Sequence, residues 1–156
     1  MIKKSFILLA FLLTLSFFSM NGQLAVGYNT DGNTFSLSTN PDKKVWGEFR
    51  VNTKSYSQAA WSYSDRGITQ VYALTGIFNA QSVILYAGGG VGANLLSNDE
   101  KWLSINIPAG IKIAPFTKFP GILLTGEYNP MFVVEEKVPI IHSVSAGIKI
   151  VLVKGN

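Results

Sequence analysis

Between Leu103 and Ile113 the chain alternates strictly between two kinds of residue. The odd positions are apolar and the even positions are small or polar, in the order Leu103, Ser104, Ile105, Asn106, Ile107, Pro108, Ala109, Gly110, Ile111, Lys112 and Ile113. Successive side chains of a β-strand point to opposite faces of a sheet, so this spacing predicts a strand with two chemically different faces. A chain built from such strands folds as a sheet protein.

The same alternation recurs along most of the chain. Together with turn sequences rich in Asn, Asp, Gly and Pro, it predicts eight strands at about residues 24–30, 33–39, 45–54, 68–78, 82–96, 101–116, 121–134 and 139–153. The first two are ambiguous, because Asp31-Gly32-Asn33 fits either a hairpin turn or a bulge within one long strand.

The length of the strands and the character of their polar face distinguish between the all-β folds. Many of the predicted strands run for about 10 to 14 residues, which is long for a sandwich and suits a tilted span of a membrane. The polar face is made mainly of Gly, Ser, Asn and isolated charges, which suit a narrow barrel interior. We therefore predict a closed, antiparallel, up-and-down β-barrel of eight strands in the outer membrane. A soluble lipocalin-like barrel and a β-sandwich remain as alternatives.

The N-terminus has the layout of a secretory signal peptide. Lys3 and Lys4 precede an almost unbroken apolar stretch from Phe6 to Phe18, which is too short for a spanning helix. Cleavage after Gly22 is expected, so residues 1–22 form the signal peptide and residues 23–156 the barrel domain. The chain contains no cysteine, which excludes disulfides and a lipid-modified cysteine after the apolar stretch.

Composition restricts the partners and cofactors. Without Lys3 and Lys4 the chain has 11 basic residues (13 less these two) against 9 acidic ones, and no basic block, so nucleic acid is not an expected partner. One histidine and no cysteine provide no metal cluster. Residues 88–93 match the dinucleotide-binding pattern Gly-x-Gly-x-x-Ala, but no helical pattern follows, so no cofactor is expected.

Three motifs carry a resemblance to a known family. They are the Gly22-Gln23 start, the turn Asn40-Pro41-Asp42-Lys43-Lys44-Val45-Trp46, and the sequence Ala-Gly-Ile-Lys-Ile, which occurs at 109–113 and again at 146–150. The chain resembles the small eight-stranded outer-membrane β-barrels of the OmpA/OmpX type, in the version common among Bacteroidetes. The resemblance covers the whole mature chain. It implies a porin-like barrel architecture in a Gram-negative outer membrane, and it does not imply an activity.

The polar faces of the predicted strands carry five charged residues that form the candidate interior site: Glu48, Arg50, Lys112, Glu127 and Lys149. If the turn before residue 121 is centred between Phe119 and Pro120, Lys112 lies directly opposite Glu127. Lys149 then lies diagonally near Glu127 from the other side. A carboxylate between two ammonium groups compensates charges that would be costly alone, so the sequence predicts a structural plug. A proton or ion pathway is the alternative.

His142 and Ser143 provide a test for a lipid A-modifying enzyme, since some barrels of this size deacylate lipid with a Ser, a His and an acidic residue. The two residues are adjacent, and adjacent residues of a strand point to opposite sides. We therefore predict no catalytic residues and place His142 beside lipid headgroups. Any contact with a surface partner is expected in the longest loop, 54–67, which contains Tyr56, Trp61 and Tyr63.

The sequence thus predicts a monomeric, non-enzymatic outer-membrane barrel, surrounded by lipid, with a filled polar interior and surface loops. A soluble periplasmic barrel that binds an apolar ligand is the first alternative, and the lipid A-modifying enzyme is the second.

Overall fold

The computed structural model of the protein describes residues 23–31, 33–39, 43–52, 57–58, 61–62, 68–93, 103–134 and 140–153. Within these ranges the regular elements are all strands: β1 Leu24–Asn29, β2 Thr34–Thr39, β3 Val45–Asn52, β4 Ser57–Gln58, β5 Trp61–Ser62, β6 Thr69–Ala80, β7 Val83–Ala93, β8 Leu103–Asn106, β9 Ala109–Ile113, β10 Ile122–Val134 and β11 Ile140–Val153. No helix long and apolar enough to cross a membrane occurs in these ranges.

The strands close into an antiparallel β-barrel with eight positions around its wall. Each strand pairs with its neighbour in the order β1, β2, β3, β6, β7, β8 with β9, β10 and β11, and β11 pairs with β1. The strands β4 and β5 pair with each other in a separate two-stranded sheet. The predicted closed, eight-stranded, up-and-down barrel is therefore confirmed.

Strands β8 and β9 are two halves of one predicted strand, 101–116, interrupted at Ile107 and Pro108. Proline has no backbone N–H to donate to a ladder, and the regular pairing stops at Asn106 and resumes at Ala109. The interruption stays bonded to both neighbours, because Gly88 N donates to Pro108 O at 3.0 Å and Ile107 N donates to Pro130 O at 3.1 Å. The barrel wall is continuous across the break.

The stagger of the barrel follows from its pairings. A path that steps from each residue to its partner on the next strand goes once around the wall. It starts at Val151 of β11 and returns to β11 at Ile141, ten residues away. The residues along the path are Ala25, Ser38, Glu48, Tyr72, Gly90, Asn106 and Met131. With ordinary strand spacing and rise, eight strands and this stagger correspond to a tilt of about 40° from the barrel axis. A barrel of this size encloses a lumen that side chains can fill.

The ambiguous segment 24–39 forms a hairpin. Strands β1 and β2 pair from Leu24 opposite Thr39 to Asn29 opposite Thr34, and Asn33 in the turn adopts a φ of 53°. Asparagine tolerates this left-handed conformation better than most residues. We call the end of the barrel that carries this turn the loop end, and the end that carries Leu24 and Val153 the terminal end.

The predicted register between the strands around residues 113 and 122 is wrong by two residues. Lys112 lies opposite Thr125, and Glu127 lies opposite Gly110. The connection contains two successive tight turns, in which Phe119 N donates to Phe116 O and Ile122 N donates to Phe119 O, both at 3.1 Å. These turns centre the hairpin one residue earlier than the sequence suggested, and a shift of one residue in the centre moves the pairing by two.

The two faces of the wall have opposite character. The outward-facing side chains are largely apolar and exposed, among them Ile105 at 54%, Ile107 at 50%, Ile148 at 40% and Ile150 at 45%. The buried, inward-facing side chains are mostly polar or charged. The apolar residues buried at the terminal-end half of the lumen include Trp46, Leu74 and Leu123. The barrel is therefore apolar on the outside and polar through much of the inside.

Candidate functional site: the charged interior of the barrel

Five charged side chains point into the lumen from four positions of the wall. Glu48 and Arg50 come from β3, Lys112 from β9, Glu127 from β10 and Lys149 from β11, and each is between 2 and 7% exposed. Every one lies on the polar face of its strand, because residues two apart on a strand share a face. These are the five residues that the sequence singled out, but their mutual arrangement differs from the predicted one.

Arg50 is the centre of the network. Its Nε donates to Glu48 Oε1 at 2.9 Å, while Nη1 and Nη2 donate to the two carboxylate oxygens of Glu127 at 2.5 and 2.7 Å. The guanidinium also lies over the ring of Tyr72, 4.4 Å from its centroid. A planar guanidinium can bind two carboxylates and stack on an aromatic ring at once, which lysine cannot do.

The network continues in both directions from Arg50. On one side Glu48 also pairs with the ammonium of Lys149, which lies 3.3 Å from Ser38 Oγ. On the other side the phenol of Tyr86 donates to Glu127 Oε2 at 2.8 Å. The chain of contacts therefore joins β11, β3, β10 and β7 across the lumen.

Lys112 lies nearer the terminal end, against aromatic rings. Its Nζ is 3.7 Å from the centroid of the Trp46 ring, and that ring packs edge-on against Tyr86 at 5.5 Å. An ammonium over an indole face is a favourable cation–π contact in a desolvated site. Counting all five residues, the network holds three cations and two carboxylates.

The predicted placement of Glu127 between Lys112 and Lys149 is therefore wrong. Lys149 lies opposite Leu123 and pairs with Glu48, while Glu127 receives a bidentate contact from Arg50. The aromatic partners Trp46, Tyr72 and Tyr86 were not among the residues predicted for the network. Parity was the signal that could have found Trp46, since it is two residues before Glu48 on the same strand.

Close packing around Gly90 leaves no room for a side chain at this position on the inner face of the wall. A Cβ built on Gly90 would lie 2.4 Å from Tyr72 Cδ1 and 2.5 Å from Val71 O. On the outward-facing neighbour Gly89 a Cβ would meet nothing within 4 Å. The missing side chain at Gly90 therefore makes room for the ring that stacks on Arg50.

We expect Gly90→Ala to destabilise the barrel by about 1 to 3 kcal/mol, because the added methyl displaces Tyr72 or the backbone of β6. Gly89→Ala is the matched control and should be neutral or stabilising by about 0.5 kcal/mol, since it only reduces the freedom of the unfolded chain. Urea unfolding of the two variants measures both effects. Equal stability of the two variants would contradict the close packing around Gly90.

His142 and Ser143 are placed on opposite sides of the wall. His142 is exposed outside, where its Nδ1 lies 2.6 Å from Tyr128 Oη and its ring stacks on Tyr128. Ser143 is 4% exposed inside and donates to Asp31 Oδ2 at 2.9 Å. The structure thus separates the imidazole from the adjacent hydroxyl.

The glycine-rich stretch, residues 88–93, forms the second half of β7 and ends with that strand at Ala93. Within the described residues no three His, Cys, Asp or Glu side chains are grouped to hold a metal ion. Tyr56, Tyr63 and the side chain of Trp61, the candidate loop contacts, lie outside what the structure describes.

Chemically, the arrangement fixes charged groups to one another. The carboxylates of Glu48 and Glu127 are held by the cations that face them, and the network is buried among Tyr72, Tyr86 and Trp46. Such a network links distant strands and holds the lumen in one arrangement.

Comparison with models of protein families, with curated proteins and with solved structures finds no match for the chain.

Proposed function

We propose that the protein is a non-enzymatic, monomeric outer-membrane β-barrel with a filled interior, whose loops face the surroundings of the cell. The observation that supports this most is the inverted distribution of its side chains. Large apolar residues are exposed all around the wall, while Glu48, Arg50 and Lys149 are buried within it. Hydrocarbon favours such an outer face, and closure through the pairing of β11 with β1 gives every wall strand a neighbour on both sides along most of the barrel.

The soluble, ligand-binding barrel is less well supported. A lipocalin-like protein binds an apolar ligand in a lumen lined mainly by apolar side chains, and in water its outer face is polar. Here the lumen holds five charged residues, and the outer face carries residues such as Val91 at 61% and Leu103 at 60% exposure. An apolar ligand would have to displace the ion pairs of Arg50 to enter.

The lipid A-modifying enzyme is also less well supported. That chemistry needs a serine activated by a histidine within hydrogen-bonding reach. His142 contacts Tyr128 on the outer face, whereas Ser143 points inward. The arrangement therefore favours an interfacial anchoring role for His142, as part of an aromatic belt that also includes Tyr28 and Phe35.

The proposed role follows from the network and the closure of the barrel. A lumen crossed by fixed ion pairs is suited to structural support and to the display of loops. The proposal places the chain beside the OmpA/OmpX-type barrels that its motifs resemble, with the signal peptide at residues 1–22 directing export.

Cell fractionation tests the proposal. We expect the protein to remain with the outer-membrane fraction after osmotic shock and to be extracted only by detergent. The extracted protein should also migrate differently on gels before and after boiling, as closed membrane barrels do. Release of the protein by osmotic shock would support the soluble alternative and overturn the proposal.

A further inference from the structure

Near the loop end of the barrel, one edge of strand β11 has no partner strand among the residues that the structure describes. Its neighbour β1 pairs with it only as far as Asn29 opposite Gly147, with one further bond from Thr30 N to Ala146 O at 2.8 Å. Strand β11, however, begins at Ile140 and pairs with β10 along that whole stretch. Within the described residues, 140–145 therefore have a partner strand on one side only.

The direction of the backbone groups on this edge follows from the bonds of Ala146. Its N and O atoms both face Thr30, at 3.2 Å from the side-chain oxygen and 2.8 Å from the backbone nitrogen. Backbone groups of residues two apart on a strand point the same way. The N–H and C=O groups of Val144, His142 and Ile140 therefore point to the uncovered side.

The side chains of this edge do not protect it. Val144 is 77% exposed, the highest value among the large apolar residues of the described ranges, and Ile140 is 37% exposed. Natural proteins guard exposed edges with lysine, proline or a bulge, and an unguarded apolar edge is a site for strand addition. Between Ile140 and Ser145 the chain has neither lysine nor proline.

We propose that this edge of β11, at residues 140–146, binds an extended segment of another polypeptide, which adds as a strand beside Val144. Only a polypeptide backbone offers donors and acceptors at the spacing of the edge, and strand addition is a common mode of peptide recognition. Lipid has no such row of groups.

The sequence of the bound segment is restricted by the two sides of the edge. On the outer side, Ile140 and Val144 favour apolar residues at alternate positions of the segment. On the inner side, the carboxylate of Asp31 accepts a hydrogen bond from the hydroxyl of Ser143, which lies on this stretch of β11. This negative charge favours a basic segment over an acidic one.

The β11 edge of a second copy of the chain cannot pair with this edge. This step rests on the proposed membrane location, in which all copies cross the bilayer in the same direction. Two β11 strands related by an axis along the membrane normal, each tilted by about 40°, would cross at about 80° and could not run side by side. The partner is therefore a different, extended segment that approaches from the loop end.

Binding of a defined peptide to the folded barrel in detergent tests the proposal. The probe is a fluorescent peptide with an acetylated N-terminus and the sequence Lys-Val-Thr-Val-Thr-Val-Lys. We expect saturable binding, weakened about tenfold or more in the variant Val144→Pro, which removes one edge donor without removing a bond to β10. Val144→Thr keeps that donor and is the matched control. It should bind as the parent protein does.

Two further probes separate strand addition from simple adhesion. The same peptide methylated at every backbone nitrogen cannot donate, so its binding should be lost, and a version with glutamate in place of lysine should bind more weakly. In NMR spectra the amide protons of Ile140, His142 and Val144 should exchange with solvent faster than those of Ser143 and Ser145, and should become protected when the peptide is added.

Several results would overturn this inference. They are the absence of binding at millimolar peptide, equal binding by Val144→Pro, equal binding of the methylated peptide, and protection of the His142 and Val144 amides without peptide. The last result would mean that another part of the chain already covers the edge. Each variant is first checked for the gel shift of a folded barrel. A failure of the peptide to bind a correctly folded, membrane-located barrel therefore leaves the proposed function intact.

Discussion

Replacing Arg50 with methionine is expected to lower the free energy of unfolding by about 3 to 5 kcal/mol. The substitution leaves Glu127 without the guanidinium that contacts both of its oxygens, and it removes one of the two cations bound by Glu48. A buried carboxylate without its counter-charge is strongly unfavourable, while the apolar methionine fills part of the vacated volume. Urea unfolding of the barrel in lipid vesicles, followed by tryptophan fluorescence, measures the loss.

The second substitution Glu127→Gln should restore part of the stability lost in Arg50→Met, because an amide in that position needs no counter-charge. Tyr86 can still donate to the remaining side-chain oxygen. Lys43→Met removes an exposed positive charge outside the lumen and serves as the control, with an expected change within about 0.5 kcal/mol. Strictly additive effects of the two interior substitutions would mean that Arg50 and Glu127 do not interact.

Replacing Ile148 with arginine is expected to cost about 2 to 4 kcal/mol of folding stability in lipid, if the wall lies in a membrane as proposed. Ile148 faces outward and is 40% exposed, at a level between the two ends of the longest strand. The physical reason is that the arginine side chain would have to reach an interface or draw water into the hydrocarbon.

Val45→Arg provides the matched control for depth. Val45 also faces outward and is 61% exposed, but it lies at the first residue of β3, at the terminal end. Near an interface the same change should cost about 0 to 1 kcal/mol. If both variants were as stable as the parent protein in lipid, or if both were equally destabilised, the outer face would not be the hydrocarbon-facing surface that we propose.

The sequence was sufficient to predict most strands and the face on which each side chain lies. In β10 and β11 the alternation continues for 13 and 14 residues, and a strand is the regular element whose side chains alternate with that period. The same parity placed Glu48, Arg50 and Lys149 in the lumen. These properties are local, because they depend only on the geometry of consecutive residues.

The contacts between distant strands were decided by the tertiary structure. A two-residue error in the pairing of Lys112 came from two tight turns around Phe119, whose geometry the residue types alone did not specify. The contact between Arg50 and Glu127 joins residues 77 positions apart across the lumen. Which inward-facing side chains meet there depends on the ten-residue stagger at which the barrel closes, and on the ring positions of Tyr72 and Tyr86. Closure is a property of the whole set of pairings. The alternation along one strand therefore predicts the face on which a residue lies, but not the residue that it contacts across the lumen.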